Sequence, residues 1–367
     1  MGKKAIVAGH ICLDITPEIT PRENKKIEDL LSPGKVLHVG AADIHPGGAV
    51  ANTGLAMKVL GADVSLVART GDDPFADMVV SFLDKYGVSD GIVRSKGDTT
   101  SYSVVVAIPG IDRIFLHNPG ANDNFTFSDL PMDKMEEASL FHFGYPPIMK
   151  KMYENKGEEF IKIKRSVKEA GLATSVDLAA VDPASESGKT DWAYILERAL
   201  PYIDIFAPSI EELLFMMDRE KYDKMIEDNP GRDLTEVMDL KSDIEPLAGK
   251  CLDSGAAIVL LKCGAPGMYF CSAGPDRIGE VSERLGLDPA DWGDKAWFEK
   301  SFKPKRVLSA TGAGDAAIAA FLTAILMGKG PEDCVKYAAM AGASAVTAYD
   351  AISGLKSFEE MEKEFLA

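Results

Sequence analysis

Ser309-Ala310-Thr311-Gly312-Ala313-Gly314-Asp315, followed by the apolar run from Ala316 to Met327, decides how this chain is read. Gly312, Ala313 and Gly314 let a backbone turn come close to a ligand, because almost no side chain holds it off. The run behind them (Ala-Ala-Ile-Ala-Ala-Phe-Leu-Thr-Ala-Ile-Leu-Met) reads as a buried helix whose first N–H groups point into that turn. Unpaired amides and the positive end of a helix dipole make an anion site suited to a phosphate. Asp315 sits where that field is strongest. A carboxylate there is poorly placed to hold the anion itself, and better placed to take a proton from an attacking hydroxyl. That is phosphoryl-transfer chemistry. The competing reading makes the glycine a tight turn and Asp315 a helix-start residue that favours the dipole; for Gly-Ala-Gly-Asp alone the two weigh about equally.

Outward from that turn, apolar runs alternate with segments of helical period. Residues 5–8, 63–68, 172–177, 203–207 and 257–262 read as strands, and 74–86, 160–170 and 244–254 carry helical spacing. That order predicts an α/β fold with a doubly wound, mostly parallel sheet and helices on both faces. Asp73-Pro74 is a helix start, with Asp as N-cap and Pro in the first turn, and Pro331-Glu332-Asp333 starts another helix running to about Tyr349. Two regions break the alternation. Residues 15–45 are punctuated by Pro and Gly, with an extended 35–39, and residues 98–121 read as a hairpin around Pro109-Gly110-Ile111-Asp112. Together they predict a small β lid over the open edge of the sheet. The charged stretch 221–243 and the Trp-bearing stretch 276–303 read as surface insertions on a single domain spanning 1–367.

Composition narrows the class further. The chain has 367 residues, 46% of them hydrophobic, which is ample for one large core. A net charge of −17 argues against nucleic acid as partner, since phosphate backbones are held by Lys and Arg clusters. Cys12, Cys251, Cys263, Cys271 and Cys334 form no Cys-x-x-Cys pair, and their odd number suits free thiols in a reducing cytoplasm. His10, His38, His45, His117 and His142 stand apart from other ligand types at metal-site spacing, so no protein-held metal is expected. The N-terminus turns polar too soon for a signal peptide, and the apolar run after Asp315 is well short of the ~20 residues that span a bilayer. A cytoplasmic protein without a membrane partner is expected. Pro183-Ala-Ser-Glu-Ser-Gly188-Lys189-Thr190 ends like a P-loop, but Pro183 supplies no N–H where that loop needs a Gly.

Far upstream, Gly47-Gly48-Ala49-Val50-Ala51-Asn52 opens an Ala-rich helix running to Leu60, followed by a strand and by Gly71-Asp72-Asp73-Pro74-Phe75. With Asp14 near the end of the first strand, Asn118-Pro119-Gly120-Ala121-Asn122, and the late Gly-Ala-Gly-Asp, these pieces occur in the order of the ribokinase-like, or PfkB, carbohydrate kinases. The chain resembles that family from Ala5 to about Leu355.

The resemblance implies an ATP-dependent kinase acting on a hydroxyl of a small sugar, sugar acid or cyclitol. Asp315 would deprotonate that hydroxyl, while the Gly312, Ala313 and Gly314 amides stabilise the transferring phosphoryl group. Asp14, Gly48 and Asn52 would meet the sugar, with Asn122 a weaker candidate for the same pocket. Thr311, Gly264 and Glu212 would border the nucleotide, with Mg2+ carried mostly by the ATP phosphates and water. A homodimer through the lid is expected, because the face carrying Tyr102, Val104, Val106 and Ile108 is too small to bury itself. Several positions depart from the family pattern. Ser209 stands where its Asn-x-x-Glu motif has Asn, and Ser309 and Ala310 replace the acidic residue and Thr linked to monovalent-cation activation, which puts potassium dependence in doubt. Phe75 replaces a Gly, and Asp177-Leu178-Ala179 lacks the Asn of fructokinase-like members. Two other readings stay open. A nucleoside kinase would use Phe115, Phe125 or Tyr102 to stack a base, and a sugar-binding regulator would lack turnover.

Overall fold

The computed structural model describes residues 3–19, 33–34, 36–108, 114–281 and 283–366. Nine strands form the large sheet: β1 (Lys4–Gly9), β4 (Asp63–Gly71), β5 (Ile92–Ser95), β8 (Leu140–Gly144), β9 (Ala173–Asp177), β10 (Ile205–Phe206), β11 (Ile258–Lys262), β12 (Gly267–Ser272) and β13 (Ala296–Lys300). Their order is β13-β12-β11-β10-β9-β8-β1-β4-β5. From β5 to β11 every pair is parallel, while β12 and β13 run antiparallel at one edge. Alternate residues of each strand feed opposite cores. Ala5, Val7, Ile258 and Leu260 pack with the helices Gly48–Val59, Ala313–Leu326 and Pro331–Ala345. Ile6, Ala8, Val259 and Leu261 pack with Glu158–Glu169, Trp192–Ala199, Ile210–Met217 and Glu245–Asp253. The doubly wound α/β architecture therefore stands as expected, with near-continuous apolar strands because both faces are covered.

A second sheet holds β2 (Cys12–Pro17), β3 (Ala42–Gly47), β6 (Tyr102–Val106) and β7 (Ile114–Asn118), in the order β3-β2-β6-β7. It is built from the two segments that broke the alternation. The expected turn at 109–113 lies outside the described residues. Three details differ from the sequence reading. Asp14 lies not at the end of the first strand but on β2, because β1 stops at Gly9, whose φ of +121° bends the chain away from the large sheet. The strand of the 15–45 segment is Ala42–Gly47 rather than 35–39, since β2 pairs with it antiparallel from Cys12↔Gly47 to Pro17↔Ala42. Residues 276–303 are not a surface insertion. They supply β13, bury Trp292, and set Trp297 against Phe270 with ring centroids 4.4 Å apart.

The two sheets meet through particular side chains. Asp73 caps the helix Pro74–Asp84 by accepting from Ala76 N and also holds Thr100 N at 2.7 Å, fastening the approach to β6. Phe75, where the family pattern has Gly, packs edge-on against Tyr102 of β6 with centroids 5.5 Å apart. Asn122 donates to Ile11 O at 2.8 Å and accepts from Ile11 N at 3.2 Å, so its amide is spent on the crossing between sheets. No helix among the described residues is long and apolar enough to cross a membrane.

Candidate active site

The carboxyl ends of the central strands, where ligands bind in open α/β sheets, deliver the site. Tyr145 follows β8, Asp177 ends β9, and Lys262 ends β11. Opposite them the 14-residue helix Ala313–Leu326 begins at Gly312, which has φ +70° and serves as N-cap. A side chain at 312 would be doubly excluded: its Cβ would lie 2.1 Å from Ala351 Cβ, and the left-handed backbone disfavours any L-residue. The turn ahead of it is stiffened by Ser309 Oγ, which donates to Thr311 Oγ1 at 2.8 Å and accepts from Thr311 N at 3.0 Å.

Asp315 lies in the first turn of that helix and is 5% exposed. Its carboxylate caps nothing. It accepts from Thr53 Oγ1 at 2.9 Å, from Asn52 Nδ2 at 3.2 Å, and from the Tyr145 hydroxyl at 2.8 Å on both oxygens. These donors come from the helix Gly48–Val59 and from the end of β8, so Asp315 is where the structure brings the distant sequence pieces together. Burial pushes its pKa up, opposed by the Tyr145 hydrogen bond and by Lys262. Tyr145 is itself held at φ +67°, a region costing a non-glycine residue roughly 1–3 kcal/mol and typical of functional positions.

Lys262 Nζ stands 2.5 Å from Asp177 Oδ1. Burial alone would lower the lysine, yet the surrounding Asp177, Glu212 and Asp315 carboxylates hold it above its ordinary value. Burial pushes Asp177 above the usual carboxylate range, with Lys262 opposing. Glu212 closes a capping box, accepting from Ser209 N at 2.9 Å while Ser209 Oγ accepts from Glu212 N at 3.2 Å. Ser209, standing where the family motif has Asn, is thus used at its own helix start. Gly264 lies in the β11–β12 turn at φ +62°, with Thr235 Oγ1 2.9 Å from where its Cβ would be. The segment 221–243 thereby packs against the β11–β12 turn, although its helix Arg219–Asp228 buries no residue.

Asp14 sits across the cleft, on the second sheet. Strand register places it beside His45 on one side and Ser103 on the other, with His117 beyond, so all four share one face. Gly47 leaves room for it, because a Cβ there would come 2.0 Å from Asp14 Oδ2. Cys12 Sγ donates to Asp14 Oδ1 at 3.3 Å. His117 pairs with Ser103 Oγ at 3.1 Å and meets His10 at 3.4 Å between Nε2 atoms. Both rings are pushed toward neutrality by burial, and Asp14 partly opposes this at His117. Gly48, at φ +82°, lies under His10, whose Nδ1 would be 2.5 Å from a Cβ at 48. The sequence reading set these histidines apart; the packing of β7 of the second sheet against the crossing loop brings two of them into contact. All five cysteines are buried and free.

Two of the aromatic side chains considered for stacking a base are spent elsewhere. Phe125 is fully buried against Phe143, with centroids 5.8 Å apart. Tyr102 neighbours Ser103 and so leaves the sheet on the face opposite Asp14. Phe115 pairs with Val105, two residues from Ser103, and is exposed on the Asp14 face.

A glycine turn at a helix start, with a buried carboxylate in the first turn of that helix beside converging strand ends, is the geometry of a phosphotransferase. The sequence matches the pfkB family carbohydrate kinases over residues 10–357, and the chain belongs to that family. Its acceptor class is accordingly a sugar hydroxyl. The chain is 27% identical to fructokinase-1 of Oryza sativa subsp. japonica, over 87% of each sequence. It is 24% identical to an uncharacterized sugar kinase of Archaeoglobus fulgidus, over 82% of this chain and 98% of that one. Among solved structures, the fructokinase of Xylella fastidiosa with bound ATP matches at TM-score 0.71 and 20% identity, over 99% of both chains. The Arabidopsis thaliana ribokinase complexed with ribose and ATP gives 0.69 at 21% identity, over 99% of this chain and 98% of that one. These structures share the fold of this chain.

Proposed function

We propose that this chain transfers the γ-phosphoryl group of ATP to a hydroxyl of a small sugar, sugar acid or cyclitol. The observation that carries the reading is the engagement of Asp315. A carboxylate buried at the positive end of a 14-residue helix, yet bonded to side chains of two other elements instead of capping its own, is held for chemistry. In this reading the Gly312 and Gly314 amides receive the phosphoryl charge, Ala313 N, which donates to Ala310 O at 3.3 Å, closes the turn between them, and Asp315 takes the acceptor proton. Asp14 and Asn52 orient the substrate: Asn52 gives Nδ2 to Asp315, which leaves its Oδ1 for a sugar hydroxyl. Gly48 shapes the pocket floor beneath them. Asn122 acts one step back, by fixing Ile11. Thr311, Gly264 and small side chains of the helix Pro331–Ala345 border the nucleotide. Mg2+, when bound, would neutralise ATP phosphate charge while held mainly by the phosphates and water, with Glu212 bordering the nucleotide. The second sheet would act as a lid.

A nucleoside acceptor retains one stacking candidate, Phe115, and is the second reading. A coupled ADP-release assay over neutral sugars, sugar acids, cyclitols and nucleosides tests both. ADP release with a sugar-class acceptor supports the proposal, release with nucleosides alone supports the second reading, and ATP binding without release from any acceptor leaves a sugar-binding regulator. We also propose a homodimer through the second sheet. Ile44 and Leu116 are exposed on the face it shares with Tyr102 and Val104, and sedimentation giving a monomer at micromolar concentration would remove the idea.

A further inference from the structure

We propose that Lys262 is a catalytic residue whose ammonium leaves Asp177 to carry the charge of the phosphoryl group in transit over the Gly312–Gly314 turn. The inference rests on the kinase reading above and gives that site its cation. Lys262 ends β11, and a β-bridge pairs it with Ser209, so its position is set by the sheet rather than by a loop. Its side chain runs along the glycine turn: a Cβ added at Gly314 would lie 3.4 Å from Lys262 Cδ and 3.6 Å from Nζ. The absence of a side chain at 314 therefore leaves the ammonium facing the amides of the turn, where a phosphate would settle.

Its surroundings keep it charged and movable. Lys262 faces the Asp177, Glu212 and Asp315 carboxylates, and with Asp177 it forms an ion pair whose side chains are 13% and 3% exposed. Tyr145 and the imidazole of His142 complete the titratable groups around the pair. A buried pair kept only for stability gains little over apolar packing, so its place at the strand ends calls for another use. A lysine is a compact point charge on a flexible stem, able to exchange a carboxylate for a phosphoryl oxygen without changing its proton count. In the step itself the bond between the γ-phosphorus and the bridging oxygen of ADP breaks, and the bond to the acceptor oxygen forms. The acceptor proton goes to Asp315, and Lys262 neither gives nor takes one.

The test uses the purified full chain, the best acceptor from the ADP-release panel, and Lys262→Met. Removal of a preorganised group facing transition-state charge costs about 10²–10³ in kcat, and that loss is expected here. The ATP KM should change less than about fivefold, because in the ground state the ammonium rests on Asp177. Lys262→Arg should recover part of kcat. Melting temperatures are read for each variant. If Lys262→Met leaves Asp177 uncompensated and does not fold, the double variant Lys262→Met/Asp177→Leu removes both charges, and it too should turn over at least about 100-fold slower than wild type. A folded variant of either kind that keeps more than about a tenth of wild-type kcat overturns the role of Lys262 while leaving the kinase reading in place. A wild-type chain that shows neither ADP release nor an ATP-dependent rise in melting temperature overturns both.

Discussion

Replacing Asp14 by Ala should separate the proposed sugar site from the proposed nucleotide site. Asp14 lies on β2 and its carboxylate accepts from Cys12 Sγ at 3.3 Å, while no hydrogen bond among the described residues links it to the Asp315 cluster. The neighbouring Gly47 imposes no packing demand that Ala would violate, and a thiol is a weak donor, so the variant should fold. The functional loss is larger. A carboxylate gripping two sugar hydroxyls contributes charge-assisted hydrogen bonds of ~1.5–3 kcal/mol each, part of which water restores. A net loss of about 2–4 kcal/mol corresponds to a rise of roughly 30- to 700-fold in the sugar KM. The ATP KM should stay within about threefold of wild type, since Asp14 stands on the other sheet. Initial-rate kinetics with each substrate varied at saturating levels of the other give both numbers. Equal weakening of ATP would show that Asp14 serves the nucleotide, and an unchanged sugar KM would remove it from the site.

Three further outcomes follow from the same geometry. Tyr145→Phe deletes the hydrogen bonds that lower the Asp315 pKa against the upward push of burial; the base then stays protonated to higher pH, so the acidic limb of the kcat/KM profile should move upward, and an unmoved limb would exclude Tyr145 from setting the base. Gly312→Ala should lower the melting temperature and abolish protection by ATP, because an L-residue at φ +70° costs ~1–2 kcal/mol and its Cβ would meet Ala351 at 2.1 Å; normal ATP protection would contradict the anion turn. Phe75→Ala removes the packing against Tyr102 and should cost about 2–4 kcal/mol if the two sheets are coupled through it, since a buried aromatic truncation costs ~3–5 kcal/mol and Phe75 is only half-buried; chemical denaturation showing less than about 0.5 kcal/mol would mean the second sheet is held elsewhere.

Much of the parallel sheet was legible because both its faces are covered and its strands read as plain apolar runs. β8 was not: His142 and the closing Gly144 interrupt Leu-Phe-His-Phe-Gly, and only the pairing of His142 Nδ1 with Ser175 Oγ at 3.0 Å makes that histidine a core residue. Residues 276–303 read as an insertion because β13 is an edge strand, exposed at its ends and only half-buried between them, while the burial of Trp292 depends on distant Phe270 and Phe321. At the site, Asp315, Asn52 and Asp14 were visible through short motifs whose spacing is local. Tyr145, Asp177 and Lys262 carry no such motif, and their common property is position at or just after the carboxyl end of a strand. Listing the polar residues at the ends of the legible strands would have found Asp177 and Lys262, but not Tyr145, because β8 itself went unread. The row Asp14, Ser103 and His117 needed the register between β2, β6 and β7, which no single segment encodes.

The role of Asp315 is tested most directly by Asp315→Asn. One amide oxygen can still accept from Thr53 and Tyr145, and the Asn52 amide can turn to meet the new NH2 group, so the stability cost should be only about 0.5–1.5 kcal/mol. Asn also suits a helix start nearly as well as Asp. What is lost is the base. With the acceptor identified by ADP release, kcat should fall by ~10²–10⁴ while the melting temperature and its rise with ATP are retained. A folded Asp315→Asn protein that keeps more than about a tenth of wild-type kcat would contradict the assignment and return Asp315 to the status of a helix-start residue.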